Sequence, residues 1–245
     1  MLFVAGCGAS KTQAVGREAK ASVDYPPILE DAEGGAEATS GEEWPEANEV
    51  GSSDAVVDVP VEEVVGCPFV FAPAVRGRWF ALSGEDYFID EEGCPAAART
   101  RLPPVVADPR VADCQGQVGR WGDEEDAATN YDGGHLLGHQ LGGWGARLNL
   151  VPQAASFNRG NWAQIENALA GCDVLPDASV MLTVEVEYTG PTSIVPSAMG
   201  MRLEDARTGD RIEVWFPNLE RGGVDGTGER ARAVAWIKGL GCQPH

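Results

Sequence analysis

The chain has 245 residues and carries 18 Lys and Arg against 38 Asp and Glu, a formal net charge of −20. That length holds one large domain, or one domain with a tail. No apolar run reaches the roughly 18 residues a membrane-spanning helix needs, and the acidity excludes a protein that holds nucleic acid by bulk charge.

The charge is unevenly placed. Residues 1–66 hold 14 acidic side chains against 3 basic ones, and the remainder holds 24 against 15. Fourteen of those 15 cations are arginines, whose planar guanidinium grips phosphate in bidentate fashion better than an ammonium does. A turnover enzyme needs only a local positive site. The opening Met1-Leu-Phe-Val-Ala-Gly6-Cys7 resembles the lipobox of a bacterial lipoprotein, which implies an acylated Cys7 and a lipid anchor at a membrane surface, although no basic region precedes it. Residues 8–66 are rich in Ala, Gly, Ser, Glu and Asp and show little apolar periodicity. Such a segment cannot offset its chain entropy by burial, so it reads as a flexible acidic linker. Residues 1–66 are therefore expected as anchor and linker, and residues 67–245 as the folded domain.

Six cysteines, at 7, 67, 94, 114, 172 and 242, are dispersed, with none in a CxxC or zinc spacing. Dispersed cysteines point to disulfides and an oxidising, extracytoplasmic compartment; buried free thiols are the alternative. If Cys7 is acylated, five cysteines remain and one stays unpaired.

In the folded part, Arg78-Trp-Phe-Ala-Leu and Tyr87-Phe-Ile predict a strand pair turning at Ser83-Gly84-Glu85. Pro103, Pro104 and Pro109 mark a loop. The segment from Gln115 to Trp121 leads through Gly122-Asp-Glu-Glu-Asp to Asp132-Gly-Gly-His135. Gly142, Gly143 and Gly145 mark a second loop, and Leu148-Asn-Leu-Val-Pro reads as a strand ending at Pro152. Asn158–Ala170 predicts a helix with Trp162, Ile165 and Leu169 facing the core. Val180, Leu182, Val184, Val186 and Tyr188 alternate with polar residues, the pattern of a half-buried strand. Arg211–Phe216 predicts another strand after a Gly209-Asp210 turn. Ala231, Val234, Ile237 and Leu240 predict a terminal helix over 229–240. The expected class is α+β around a central antiparallel sheet with flanking helices.

Polar groups gather at the centre of this pattern. Hydrolysis of a phosphodiester needs a base for water, a cation for the charge building on the phosphoryl oxygens, and protection of the leaving alkoxide. His135 suits the first role, since an ordinary imidazole is largely neutral at pH 7. Asn158 offers an oxygen ligand for a hard cation such as Mg²⁺, which keeps several waters, and Glu166 can hydrogen-bond those waters. Eight helical residues rise about 12 Å, so Asn158 and Glu166 cannot both ligate directly on a straight helix. Either Glu166 acts through waters or the Asn158-Arg-Gly160 turn lies outside the regular helix. His139 reads as structural or substrate-facing, because Leu-Leu-Gly after His135 and the missing Glu speak against a zinc protease. Asp132 is expected to fix the His135 loop through backbone hydrogen bonds.

Asp132-Gly-Gly-His135, Gly142-Gly143, Asn149-Leu-Val-Pro-Gln153, Asn158-Arg-Gly160, Trp162 and Glu166 together resemble the DNA/RNA non-specific endonuclease family of the ββα-metal (His-Me finger) superfamily. The branch is that of secreted bacterial nuclease and toxin domains. Weaker similarity runs from about Gln115 to Tyr188 and toward Asn218. The resemblance implies a ββα-metal finger, DNA and RNA as substrates cut with little sequence preference, His135 as general base, and Mg²⁺ (or Mn²⁺) on Asn158. It also implies that Glu166 and Asn149 support the metal waters and the site. Many members read Asp-Arg-Gly-His, whereas here the arginine position is Gly133. Arg159, Arg147 or Arg120 is expected to supply that charge, with Arg159 first, and Gln153 is a further substrate-binding candidate. An inhibitor or immunity protein is a candidate partner. The competing reading is an inactive nuclease-fold protein that binds nucleic acid or serves as a scaffold, supported by Gly133 and the acidity.

Overall fold

The computed structural model describes residues 66–102, 112–175, 179–220 and 226–243. The lipobox-like segment with Cys7, the acidic linker up to residue 65 and the Pro103–Pro109 loop lie outside the described residues.

Six antiparallel strands make the main sheet. They are β1 (Arg78–Leu82), β2 (Glu85–Ile89), β3 (Pro95–Leu102), β6 (Val180–Tyr188), β7 (Pro196–Asp205) and β8 (Arg211–Pro217), and they lie in that order across the sheet. β4 (Tyr131–His135) and β5 (Leu150–Ala154) form a separate antiparallel pair. β3 pairs directly with β6, so the chain leaves the sheet after β3 and returns beside it. Along that excursion run helix α1 (Ala112–Glu125), β4, two 3-10 turns, β5 and helix α2 (residues 155–170). Helix α3 (Thr227–Gly239) follows β8.

Local chemistry explains the elements that the periodicity identified. β1 and β2 turn through Ser83 and Gly84, at φ 57° and 101°, the two left-handed positions that match the twist of a hairpin. Val180, Leu182 and Val184 are fully buried and Val186 nearly so, and Gly209 turns β7 into β8 at φ 73°. The terminal helix buries Ala233 and Ile237, and Ala231, expected in the core, is exposed. β3, β7 and α1 were not expected. β3 opens Pro-Ala-Ala-Ala and shows no strong alternation. β7 runs Pro196-Ser-Ala-Met-Gly-Met-Arg, which breaks its pattern at Gly200, where the Trp215 ring lies against the backbone.

α1 contains Gly116, Gly119 and Gly122, each costing about 1 kcal/mol of helix propensity relative to alanine. Tertiary contact accounts for two of them. A side chain at 119 would meet the Tyr131 carbonyl oxygen at 2.8 Å, and one at 122 would meet the Tyr131 ring at 2.6 Å. The helix therefore lies directly on β4.

The excursion is fastened to the sheet by several groups. Asn218, only 2% exposed, accepts from the Ala154 N–H at 2.7 Å and donates to the carbonyls of Pro152 and Pro196. Trp144 N–H donates to the Tyr87 hydroxyl at 3.0 Å. Phe157 and Trp162 of α2 pack on Phe216 of β8. Disulfides join Cys67 to Cys114 and Cys172 to Cys242; Cys94 is disulfide-bonded as well, and no described cysteine is a free thiol, so the unpaired cysteine expected from acylation of Cys7 is not found among the described residues. The paired cysteines agree with the expectation of an oxidising compartment.

Candidate active site

α2 carries the polar groups, and its backbone is irregular where they sit. One α-turn, Ala155–Phe157, passes into a π-helical turn, Asn158–Trp162, and then into regular helix, Ala163–Ala170. A π-turn takes up one extra residue per turn. Its mark on the core side is the Phe157–Trp162 pair, both buried with ring centroids 5.6 Å apart. Five α-helical residues would point such side chains about 140° apart. The same extra residue resets the polar side. Asn158 and Glu166 would diverge by about 80° on a regular α-helix; with one residue absorbed they behave as positions seven apart, within about 20° of one face. Of the two alternatives the sequence left, the Asn158-Arg159-Gly160 turn does lie outside regular α-helix.

β4 and its continuation run along that face. Asp132 touches Asn158 at one end. At the other, a side chain at Gly138 would meet Glu166 Oε1 at 2.6 Å. His135 lies midway between these two contacts along the chain.

Asp132 is the hub of the first contact. Its Oδ2 accepts from Asn158 Nδ2 at 2.9 Å and from Arg159 Nε at 2.8 Å, and its Oδ1 accepts from Arg159 Nη2 at 2.6 Å. A carboxylate accepts only from the NH₂ end of an amide, so Asn158 Oδ1 is the branch turned away from Asp132. Asp132 was expected to hold the backbone of the His135 loop. It holds two side chains of α2 instead.

A cleft of about 410 Å³ opens beside this hub, between α1 and the start of α2 and across β4. Gln115, Gly116, Arg120 and Asp123 of α1 line one side, and Asn158 and Arg159 the other. His135 reaches the cleft through Gln115, whose Nε2 lies 3.4 Å from His135 Nδ1. Asn158 therefore lines the cleft directly, and the His135 ring stands behind its wall, in contact with Gln115. Gln115 marked the start of a segment in the sequence but was not singled out as a site residue, because that segment did not read as helix; the glycines at spacing three in α1 were the available signal.

The candidate arginines separate cleanly. Arg120 is exposed, lines the cleft and forms no ion pair with a described residue. Arg159 also lines it, with its side chain 73% exposed, but it is forked onto Asp132, whose hydrogen bond and negative charge raise its pKa. Arg147 is 0% exposed. Its Nη1 donates to the Leu150 carbonyl, and its guanidinium lies 5.8 Å from the Trp121 ring centroid. Burial pulls its pKa down to about 10. Arg147 is a core residue and cannot reach a polymer, which corrects its assignment to substrate binding.

Two amides, Gln153 expected at the substrate and Asn149 expected to support the site, are also buried. Gln153 is 0% exposed and packs over Gly134, so it is no substrate contact. Asn149 is also 0% exposed. Its Oδ1 accepts from Leu137 N–H, and its Nδ2 donates to the carbonyls of Leu137 and Trp144. Asn149 thus pins the loop that follows His135, and both its N–H groups are used on backbone rather than on metal waters. His139 sits in a 3-10 turn, His139–Leu141.

Gly133 has a spatial cause. A Cβ there would lie 2.2 Å from the carbonyl oxygen of Gln115 and 2.7 Å from its Cα. No side chain fits beneath α1. The arginine expected from the resemblance is excluded by the helix that brings Arg120 to the cleft.

A comparison with curated proteins gives no match. Among solved structures, the chain is similar to NucA from Streptococcus agalactiae with magnesium ion bound, at 20% identity and a TM-score of 0.42, covering 57% of this chain and 72% of that one. NucA with no metal bound matches at 18% identity and a TM-score of 0.39 over the same shares. The family profile described as DNA/RNA non-specific endonuclease matches residues 77–206, from β1 into the turn after β7 and over more than half of the chain. The chain belongs to the DNA/RNA non-specific endonuclease family, and it is a nuclease.

Proposed function

We propose that the domain hydrolyses phosphodiester bonds of DNA, and of RNA, with little sequence preference and with a divalent cation. The observation that carries this reading is the placement of Asn158 on the cleft that Arg120 lines, with the His135 ring behind its wall in contact with Gln115. His135 takes the proton of the attacking water. The water oxygen forms a bond to phosphorus as the bond to the leaving oxygen breaks. Arg120 is the phosphate contact, because Arg159 is already engaged by Asp132.

The donor set fits a hard, hydrated ion. Among the described residues no three His, Cys, Asp or Glu side chains cluster as a metal cage, and Mg²⁺ needs only one or two protein ligands. Asn158 would hold Mg²⁺ (or Mn²⁺) through Oδ1, and Glu166 would hydrogen-bond its waters. Bound there, the ion supplies neutralisation of the phosphoryl oxygens and protection of the leaving alkoxide. Gly133 no longer supports an inactive scaffold, since packing alone excludes a side chain there.

The test is degradation of supercoiled plasmid and of a structured RNA, with Mg²⁺ and with EDTA, beside His135→Ala and Asn158→Ala. Cutting lost on chelation and in both variants is the expected result. An inert wild type, folded and supplied with Mg²⁺, overturns the reading. We further propose residues 67–245 as the catalytic domain.

A further inference from the structure

We propose that Arg230, on the first turn of α3, is a phosphate contact outside the cleft, so that the enzyme grips a polynucleotide more tightly than a short ester. This rests on the reading of the cleft as the place of phosphodiester cleavage. α3 packs beside α2 and meets the irregular part of that helix with its first turn. A side chain at Gly226, the residue before α3, would meet the Phe216 ring at 2.5 Å and Asn161 Nδ2 at 3.2 Å. Asn161 belongs to the π-turn that carries Asn158 and Arg159. One turn on, Arg230 Nη1 donates to Gln164 Oε1 of α2 at 3.0 Å. The start of α3 thus borders the surface of α2 beyond Arg159.

Arg159 and Gln164 are both exposed and stand five residues apart across the π-turn. With one residue absorbed they behave as positions four apart, on one face within about 40°. Five residues rise about 7 Å, which spans about two phosphates at roughly 3.4 Å of axis per nucleotide. From α1 over α2 to α3, guanidiniums stand in the order Arg120, Arg159, Arg230. A strand whose scissile phosphate lies in the cleft therefore meets Arg230 about two nucleotides on.

Pairing decides which cation of this turn is free to act. Arg232 is ion-paired with Glu229 at 2.6 Å. Arg230 has the neutral Gln164 as partner and forms no ion pair with a described residue. An amide holds the guanidinium without cancelling its charge, and the remaining N–H groups stay available to a phosphate. Arg159, by contrast, answers to two carboxylates: its pKa is raised by the hydrogen bond and charge of Asp132, and then by the charge of Glu220.

Arg230→Gln tests the contact. With supercoiled plasmid and Mg²⁺, KM should rise about 5- to 10-fold, between the effect of an exposed ion pair and that of a charged hydrogen bond, with kcat unchanged. The slope of log KM against log salt should fall by about 0.9, the share of one phosphate contact. Arg230→Lys should restore that slope. A dinucleoside monophosphate ends before Arg230, so Arg230→Gln should cleave it as the wild type does. Arg232→Gln removes the same charge and is the control; its KM for plasmid should not change. An unaltered KM and salt slope in Arg230→Gln overturn the proposal. So does an equal loss on plasmid and dinucleoside, which would make Arg230 a support of the fold. The same rise in KM in Arg232→Gln also overturns it, in favour of bulk charge. Fluorescence anisotropy of a labelled DNA strand long enough to pass the cleft, with EDTA present, reads the contact without turnover. An inert wild type whose affinity still drops about 5- to 10-fold in Arg230→Gln would refute the nuclease mechanism and leave the contact standing.

Discussion

Gly133→Ala tests the packing on which the site depends. The new Cβ would stand 2.2 Å from the Gln115 oxygen, 2.7 Å from its Cα and 2.8 Å from its carbonyl carbon. All three atoms are backbone, so no side chain can rotate away. Relief requires α1 to retreat by about 1 Å, or β4 to shift by as much, and overpacking of this kind costs about 1–3 kcal/mol. For a domain of this size that lowers the melting temperature by roughly 2–12 °C. The retreat also carries Gln115 and Arg120 away from the cleft, and misplacement by about 1 Å can cost on the order of 100-fold in rate. Thermal unfolding and plasmid cleavage measure the two effects. Gly228→Ala is the control, because it lies at the start of α3 with nothing within 4 Å of a new Cβ; it should be neutral or stabilise by up to about 1 kcal/mol. A Gly133→Ala protein with wild-type melting temperature and wild-type cleavage would refute the account of why glycine stands there.

Three further outcomes follow from the structure. Arg147 is buried, with Nε and Nη2 lacking hydrogen-bond partners and no carboxylate in ion-pair contact among the described residues. Arg147→Met should therefore be neutral or stabilising in denaturant titration and leave KM for DNA unchanged; a raised KM would return it to the substrate site. Burial raises the Asp90 carboxyl to about 6, above its unfolded value of 3.8, so its contribution to stability is fully present below pH 3.8 and is lost as pH rises through about 6. Asp90→Asn keeps an acceptor for Cys94 N–H and should flatten that part of the curve, with a gain on the order of 2 kcal/mol at pH 8; an unchanged pH profile of unfolding would refute it. The Cys172–Cys242 bond closes a span of 70 residues and ties the end of α2 to the chain after α3. Replacing both cysteines by alanine should cost about 2–4 kcal/mol in urea unfolding, and no loss would show that this tie does not hold the fold.

The sequence by itself determined what depends on near neighbours along the chain. The Ser83-Gly84 turn, the alternation of β6, the Gly209 turn and the apolar face of α2 are written within a few residues, because turn dihedrals and side-chain periodicity are local properties. The spacing of His135, Asn158 and Glu166 was likewise legible, and so was the family. Partnership across the chain was decided only by the tertiary structure. α1 reads poorly as a helix because its glycines lower helix propensity, and they become favourable only against β4. Arg147 and Arg120 are indistinguishable in sequence, yet one is sealed beside Trp121 and the other opens into the cleft. Asp132 meets Asn158 and Arg159 across 26 and 27 residues, and the π-turn that aligns Asn158 with Glu166 answers to Phe216 on a distant strand. Burial and hydrogen-bond geometry are set by what packs on a residue from elsewhere in the chain, and a single sequence does not record those contacts.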